Sequence, residues 1–368
     1  MATVKRRGAS WQATYRGPDG RERTRTFAKK VDADRWVTGQ VAALNRGEWI
    51  DPRAGRVMFG EFSETWRASQ VHRETTAALV AGHLRNHVLP TFEHRPLALI
   101  RSSEIQTWIR GLSDGLSPAT VELIVRYVSS IFKAAVGDRL IARNPCLEVK
   151  LPQRERPQVV PLDTSEVLSL IDAMPRRFRA VAVLGAGAGL RQGEALGVTL
   201  DRVNFLRRQL VIDRQLVTLT GRDPYLAPPK TLASARTVPL PQFVTAELAR
   251  HLEEFEPGDW GLLFTTLAGR AVARNRFGEA WRAAAGRSSA RPGARFHDLR
   301  HYYASLLIRH GESVKTVQAR LGHASASETL DTYSHLWPDS EDRTRRAIDD
   351  VLTGNVADIS RTSATLPS

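Results

Sequence analysis

Cysteine is almost absent from this chain of 368 residues, which contains only Cys146. A single thiol cannot build a disulfide framework, and it cannot supply the several ligands of a cysteine-rich zinc site. The composition therefore excludes the disulfide-rich secreted class and is typical of a protein in the reducing cytoplasm. We expect Cys146 to be a small core residue.

Long apolar runs are missing as well. No stretch approaches the roughly 18 apolar residues that a membrane-spanning helix needs. The N-terminus carries Lys5, Arg6 and Arg7, but no apolar segment follows them, so it lacks the pattern of a secretory signal. We therefore expect no membrane association.

Cofactor motifs are also lacking. The sequence has no P-loop for a nucleotide and no cluster of Asp and Glu that would hold catalytic metal ions. Chemistry driven by ATP or by bound metals is therefore not expected, and we predict an activity that needs no cofactor and no metal.

Positive charge, by contrast, is abundant. The chain has 53 Lys and Arg against 39 Asp and Glu, a formal net charge of +14 and an isoelectric point near 10.6. This excess favours a polyanionic partner, most simply nucleic acid. The alternative is a solubilising surface, but such surfaces usually carry a smaller charge of mixed sign.

Residues 1–50 form a small basic unit with a net charge of +6. Trp11, Ala13 and Tyr15 alternate with polar residues, which is the period of a half-buried strand. A turn, a returning strand and an amphipathic helix follow. Such a sheet can lay basic side chains into a DNA groove, although a solvated strand face is the alternative. The predicted DNA-contacting residues are Lys5, Arg6, Arg7, Arg16, Arg21, Arg23 and Arg25.

The remainder of the chain is interrupted by two linkers, at about 47–56 and at 150–161, the second of which is rich in proline and arginine. Between them, residues 57–150 show helical periodicity. Four helices are predicted there, at about 59–66, 75–88, 102–112 and 118–132. The second should end before Pro90, and together the four predict a compact bundle.

A capping box at 163–166 opens the last predicted domain, which spans residues 162–352. Two strands are expected in it, at 210–212 and 236–240. Residues 353–368 are rich in Ser and Thr, and we predict a flexible tail.

Several short polar motifs in this last domain could contribute to one site. Arg191 follows Gly189-Leu190, and Glu194 lies three residues later, where it can pair with the arginine or orient it. Lys230 follows two prolines, just before the second strand. Taken alone, Arg191 would be a surface residue at a helix start and Lys230 a solvated lysine.

Further motifs follow along the chain. His297 and Arg300 are three residues apart, so on a helix they face the same way. His323 follows Gly322, a predicted helix C-cap, where a histidine has no reason to be buried. Tyr333 comes ten residues later. Taken alone, His297 and Arg300 would be polar residues on a solvated helix face. His323 would be a surface histidine, and Tyr333 would be a half-buried packing residue.

As a set, these residue types suit phosphoryl transfer. Guanidiniums match the non-bridging oxygens of a phosphodiester, so Arg191 and Arg300 can carry the charge that metals carry elsewhere. The phenol of Tyr333 can attack phosphorus, but a phenol with a pKa near 10 needs a positive field or a base. His297 is the candidate for that base or for orienting the phosphate.

In this order and spacing, the set resembles the active site of the tyrosine recombinase, or phage-integrase, family, across about half of the chain. Residues 1–50 resemble the arm-binding domain of lambda-type integrases. The resemblance implies an α+β, mainly helical fold. Its expected parts are a small three-stranded sheet with one helix, a helical core-binding bundle, and a mostly α catalytic domain with a small sheet.

The resemblance also implies roles and partners. Tyr333 would form a 3′-phosphotyrosine, Lys230 would protonate the leaving 5′ oxygen, and His323 would hydrogen-bond the phosphate. The expected partners are double-stranded DNA at attachment sites, three further copies of the chain in a homotetramer on synapsed DNA, and DNA-bending and directionality factors. The implied activity is integration or excision of a phage or mobile element.

Two other functions stay open at this point. A type IB topoisomerase shares the chemistry but acts as a monomer, without partner sites. A non-catalytic, sequence-specific DNA-binding protein would share the charge but would leave the ordered set of six groups unexplained. The basic N-terminal unit favours the recombinase, because bridging two DNA segments is useful only there.

Overall fold

The computed structural model describes residues 2–51, 53–154, 158–337, 345, 348 and 349. The chain separates into two units, Met1–Arg156 and Pro157–Ser368. In the described parts, no helix combines the length and apolarity needed to cross a membrane. The predicted tail at 353–368 lies outside the described residues.

The first unit begins with an antiparallel sheet in the order β1–β2–β3, backed by helix α1. Alternation places Ala13 and Tyr15 of the middle strand against the helix, where Ala33 and Val37 meet them in a small core. The elements are β1 (Ala2–Arg7), β2 (Ser10–Arg16), β3 (Glu22–Phe27) and α1 (Lys30–Asn45).

The pairing register separates the basic residues of this sheet between its two faces. Residues directly opposite each other share a face. Lys5 pairs with Gln12 and Arg7 with Ser10, on the face that α1 leaves open. Arg16 points to that face too, since it is one residue beyond inward-facing Tyr15. By the same register, Arg6, Arg23 and Arg25 lie on the α1 side.

A helical bundle completes the first unit. Its core is built mainly from aromatic and β-branched side chains, with Cys146 buried at its edge as expected. Its α-helices are α2 (Phe59–Ser69), α3 (Glu74–His83), α4 (Leu89–Phe92), α5 (Ser102–Ser113) and α6 (Pro118–Gly137).

The expectation that the second bundle helix ends before Pro90 is wrong. After α3 the chain makes a π-helical turn, Leu84–Val88, and α4 then runs through Pro90. In a regular α-helix the proline ring would collide with the carbonyl four residues earlier. We attribute the continuation to the wider π turn, which gives the ring room.

The second unit is centred on a helix with apolar residues on all sides. α8 (Arg176–Ala188) is buried from Ala180 to Ala186 and packs against α7 (Thr164–Ala173), α10 (Gln242–Glu254) and α12 (Phe296–Arg309). An all-round apolar helix is expected at the centre of a core. The other helices are α9 (Gln192–Leu196), α11 (Arg274–Arg287), α13 (Val314–Leu321) and α14 (Ala326–Tyr333).

Two small sheets flank this core. The two predicted strands pair with each other, in a sheet of order β4–β5–β8, and a separate hairpin, β6–β7, lies between them in sequence. The sequence did not indicate the hairpin, whose strands are only three residues long. The strands are β4 (Val203–Asn204), β5 (Gln209–Ile212), β6 (Gln215–Val217), β7 (Tyr225–Ala227) and β8 (Arg236–Pro239).

Short 3-10 turns join several of these elements, at Ala54–Arg56, Leu97–Leu99, Leu200–Arg202, Leu232–Ser234, Asp259–Gly261 and Ser334–Leu336. The predicted fold class is confirmed: the chain is mainly helical, with a three-stranded N-terminal sheet and small sheets in the second unit.

Candidate active site

Arg191 is positioned by the sharp end of α8. That helix closes at Gly189, whose φ of 65° is left-handed. A Cβ there would lie 2.5 Å from a ring carbon of Tyr303, so only glycine fits. Arg191 then caps α9, and its backbone N–H donates to Glu194 Oε2 at 3.0 Å. Its side chain stays about one-third exposed.

Glu194 is a buried carboxylate shared between two arginines. Its Oε1 accepts from Arg191 Nη1 at 2.9 Å, and its Oε2 accepts from Arg236 Nη2 at 2.9 Å. Burial alone would raise the pKa of Glu194, but the hydrogen bond and charge of Arg236, with the charge of Arg191, leave it below the usual value. The supporting residue predicted for Arg191 is therefore in contact with it.

Arg236 is a member of this cluster that the sequence reasoning missed. Its side chain is buried, and beyond Glu194 its Nε donates to the carbonyl of Arg320 at 2.8 Å. It thereby ties the start of β8 to the end of α13. The only sequence signal was an arginine opening a strand, a few residues after Lys230.

Arg300 is almost fully buried, at 1% exposure, and joins the C-terminal ends of α8 and α13. Its Nη1 donates to the carbonyl of Gly189 at 2.7 Å, and its Nη2 donates to the carbonyl of Leu321 at 2.6 Å. Burial, followed by the charges of Arg191 and Arg236, lowers the pKa of Arg300 to about 9. The guanidinium is therefore still charged at neutral pH.

His323 departs from expectation. It follows Gly322 as predicted, but its side chain is 8% exposed, so the expectation of an accessible histidine is wrong. Its Nδ1 lies 2.9 Å from Thr329 Oγ1. Burial, and then the charge of Arg300, lowers its pKa to about 3. His323 is therefore neutral at pH 7, and the 3.7 Å approach of Glu328 to Nε2 is not an ion pair there.

Tyr333 ends α14 with its ring buried at 1% exposure. Its hydroxyl lies 2.8 Å from Nδ1 of His301, and its ring lies parallel to that of His323, with centroids 6.5 Å apart. Burial raises the pKa of Tyr333 to about 12, against the opposing effect of the Arg300 and Arg191 charges. The phenol is thus a neutral, hydrogen-bonded group at rest.

His297 lies one turn before His301 on α12 and meets it edge-on, with ring centroids 4.8 Å apart. Its side chain is exposed to solvent, but neighbouring protein atoms still desolvate the imidazole ring. That desolvation, followed by the effects of His301, Arg300 and Arg191, lowers the pKa of His297 to about 4. The hydroxyl of Tyr333 is bonded to His301 and not to His297.

Lys230 stands apart from the other predicted catalytic residues. It lies exposed in the turn after β7, before the 3-10 turn Leu232–Ser234. Within the described part of the chain, no hydrogen bond or ion pair joins it to Arg191, Arg300, His323 or Tyr333.

The arrangement is a site for an anion. Arg191, Arg236 and Arg300 meet around the single carboxylate of Glu194, which leaves an excess of positive charge. Beside it runs a groove of about 1070 Å³ with several arginines on its walls. A phosphodiester is the natural anion for such a surface. The arginines of the groove are Arg222, Arg274, Arg282, Arg291 and Arg295.

Potential metal ligands are not grouped in the described part of this region. Among the described residues, no set of three or more His, Cys, Asp or Glu side chains could hold a metal ion. The described residues bring positive charge to the site as arginine side chains that other protein groups hold in place.

Comparison with known families agrees with this site. The profile of the "Phage integrase family" matches residues 161–339, which include every residue of the cluster. The profile "Phage integrase, N-terminal domain" matches residues 4–46, and "Phage integrase, N-terminal SAM-like domain" matches residues 58–113. The chain belongs to the phage integrase family of tyrosine recombinases, enzymes that cut and rejoin DNA at specific sites.

Similar proteins come from phages and from bacteria. A protein named as the prophage phiRv2 integrase of Mycobacterium tuberculosis is 28% identical over 88% of this chain and 88% of its own length. The integrase of Mycobacterium phage D29 is 24% identical, over 85% and 87%. A XerC-like tyrosine recombinase of Caldanaerobacter subterraneus subsp. tengcongensis is 26% identical, over 80% and 84%.

Solved structures share the fold. A Tn1549 transposon integrase in complex with transposon right-end DNA gives a TM-score of 0.68 at 20% identity, over 81% of this chain and 100% of that chain. A lambda integrase dimer bound to a core site gives 0.58 at 18% identity, over 91% and 96%. A lambda integrase tetramer bound to a Holliday junction gives 0.57 at 18% identity, over 88% and 96%.

Proposed function

We propose that the recombination reaction of this chain proceeds through a 3′-phosphotyrosyl intermediate on Tyr333. The observation that carries the proposal is the convergence of Arg191, Arg300, His323 and Tyr333, which come from four separate segments of the second unit. Arg191 Nη2 donates to the carbonyl of Gly322, next to His323, at 3.5 Å. The phenol oxygen attacks phosphorus, the bond to the 5′ oxygen breaks, and that oxygen leaves as a free hydroxyl. The ester conserves the bond energy, so rejoining needs no ATP.

The other residues of the site have separate roles in the proposed reaction. Arg191 and Arg300 bind the non-bridging oxygens, where charge develops during transfer. His323 donates a hydrogen bond to the phosphate in its neutral form. His297, at the open edge, orients the phosphate. Lys230, exposed in its turn, closes onto the DNA and protonates the leaving 5′ oxygen.

The N-terminal sheet supplies a second DNA contact in this proposal. Its open face presents Lys5, Arg7 and Arg16 among Thr, Ser and Gln side chains, with the exposed Glu22 opposite Arg16 at 3.5 Å. The excess of positive charge suits this surface to phosphates and base edges. Arg23 differs from these, because Asp19 and Asp51 both bond its guanidinium and Trp49 lies against it. We therefore leave Arg23 out of the DNA contact surface.

The working assembly that we propose is a homotetramer on two synapsed attachment sites in the cytoplasm, assisted by DNA-bending and directionality factors. It is supported by the lambda integrase, a protein of similar fold whose structures include a dimer on a core site and a tetramer on a Holliday junction. The match of residues 4–46 to an integrase N-terminal domain favours it over a monomeric topoisomerase.

The test compares the formation of covalent DNA adducts by the wild type and by Tyr333→Phe. Duplexes that capture the wild-type chain covalently are recovered from a randomised library and then offered to the variant. Tyr333→Phe should bind them as wild type does but form no adduct on denaturing gels. Tyr127→Phe, a half-buried tyrosine of the bundle, is the matched control and should keep full adduct. Adduct formation by Tyr333→Phe would overturn the proposal.

A further inference from the structure

His301 is the group that touches the reactive phenol. Its Nδ1 lies 2.8 Å from the hydroxyl of Tyr333, and their ring centroids are 5.6 Å apart at an angle of 65°. In the tautomer that carries the ring proton on Nε2, Nδ1 accepts the phenolic hydrogen. His297 has its contact with His301 instead.

The fold holds this pair firmly. His301 lies in the middle of α12, directly after Arg300, whose two carbonyl bonds fix that turn of the helix. The Tyr333 ring packs in an apolar cluster with Tyr303, Val317 and Leu321. A hydrogen bond between the buried Tyr333 and the half-buried His301 that is already formed costs little further ordering when the reaction starts.

The charges around the pair keep both partners neutral at rest. Burial lowers the pKa of His301, with the charges of Arg300 and Arg291 acting in the same direction and that of Asp298 against it. With a pKa of about 12 for Tyr333, only about one phenol in 10⁵ is ionised at pH 7. The titratable and charged groups that face the pair are His297, Asp298, Arg300, Arg291, Arg191, His323 and Glu328.

We propose that His301 is the proton acceptor for Tyr333 when the phenol attacks the phosphodiester. The O–H proton moves to Nδ1 of the neutral imidazole, the phenol oxygen forms the bond to phosphorus, and the bond from phosphorus to the 5′ oxygen breaks. In the rejoining step, the imidazolium returns its proton to the departing phenol. This proposal rests on the proposed function of Tyr333 and replaces His297 as the base.

The pH dependence of cleavage distinguishes this role from simple positioning. A neutral base whose pKa lies below 6.5 is fully available above pH 7, so the wild-type rate should be flat from pH 7 to 9. Without an acceptor, the rate follows the phenolate fraction, which rises tenfold with each pH unit below the pKa of Tyr333.

The experiment measures single-turnover adduct formation from pH 7 to 9 for the wild type and for His301→Asn. The asparagine amide occupies the region of Nδ1 but cannot take up a proton. The duplex, selected on wild type as above, carries sulfur in place of the leaving 5′ oxygen, so the rate does not depend on a general acid. Duplex binding and thermal unfolding of each protein are followed in parallel.

The expected result is a flat wild-type profile, and a His301→Asn rate roughly 100-fold lower at pH 7 that climbs about tenfold per pH unit. A variant with an unchanged rate, or with the same fractional loss at every pH, would overturn the proposal. So would a wild-type rate that itself climbs tenfold per unit, a result that needs no folded variant. Absence of any wild-type adduct would instead overturn the proposed function.

Discussion

Glu194 sets the geometry of the arginine cluster, although it is not itself placed to touch a substrate. It is 3% exposed, and each of its two oxygens accepts hydrogen bonds from both Arg191 and Arg236. Arg191 is the more exposed of the two, so its position depends on the carboxylate. A buried charge of this kind is costly to leave without its partner.

Replacing Glu194 with Gln should therefore destabilise the chain by about 3 kcal/mol at pH 7, since two guanidiniums lose their counter-charge. The pKa of Glu194 is lowered in the folded state, so its contribution is fully present above pH 4.5 and is lost as the pH falls through the folded-state value. Urea unfolding of both proteins from pH 7 down to pH 4 measures this difference.

The control is Glu122→Gln, which removes the i, i+4 partner of the exposed Arg126 in the bundle and should cost less than about 0.5 kcal/mol. A Glu194→Gln protein as stable as this control would show that the cluster does not depend on the carboxylate. A stability difference that widens towards pH 4 would contradict the direction of the pKa shift.

At the scale of elements, regular hydrophobic periodicity predicted helices and strands, whereas short or irregular elements were not predicted. The strand around Ala13, the bundle helices and α12 follow from alternation, amphipathic spacing and caps. The β6–β7 hairpin has three-residue strands, too short for a period to show. The passage of the second bundle helix through Pro90 depends on a π turn, which no local signal predicts.

In the candidate site, too, local sequence features were predictable and long-range contacts were not. Motif order pointed to the residue types and to Glu194, because those lie close in sequence. The contact between His301 and Tyr333 joins residues 32 apart, and the bond from Arg236 to Glu194 joins residues 42 apart. Such contacts depend on how α12, α14 and β8 meet, and the burial of His323 depends on the same packing.

The two faces of the N-terminal sheet allow a prediction at the scale of an element. Lys5→Gln with Arg7→Gln removes two charges from the open face, and Arg6→Gln with Arg25→Gln removes two from the α1 side. On duplex DNA selected by the full-length chain, the first pair should make the log–log salt slope shallower by about 1.8.

The second pair is the matched control, with the same change in net charge, and should alter the slope by less than about 0.5. Filter binding over a series of salt concentrations gives both slopes. Equal changes for the two pairs would mean that the sheet acts only through its net charge. No change for either pair would place the DNA contact elsewhere.

At the scale of the whole molecule, the chain combines a basic sheet with a catalytic unit that carries its own arginine-rich groove. In the proposed function both parts bind DNA, and binding of the first DNA segment then raises the effective concentration of the second. A recombinase gains from this arrangement, because it must hold separate DNA segments together while strands are exchanged.

Removal of residues 1–50 should therefore separate cleavage from efficient recombination. This segment carries a net charge of +6, and the truncation also removes Trp49, which donates a hydrogen bond to Tyr15 within it. The truncated chain should still form the Tyr333 adduct on a short duplex, because the arginine cluster lies wholly in the second unit.

On DNA bearing additional selected sites for residues 1–50, the affinity of the truncated chain should fall, and the log–log salt slope should become shallower by about 0.9 for each lost phosphate contact. Adduct assays and salt titrations of both proteins on both substrates test this. Unchanged affinity and slope would show that the sheet does not touch DNA, and the protein would then act as a recombinase that binds core sites alone.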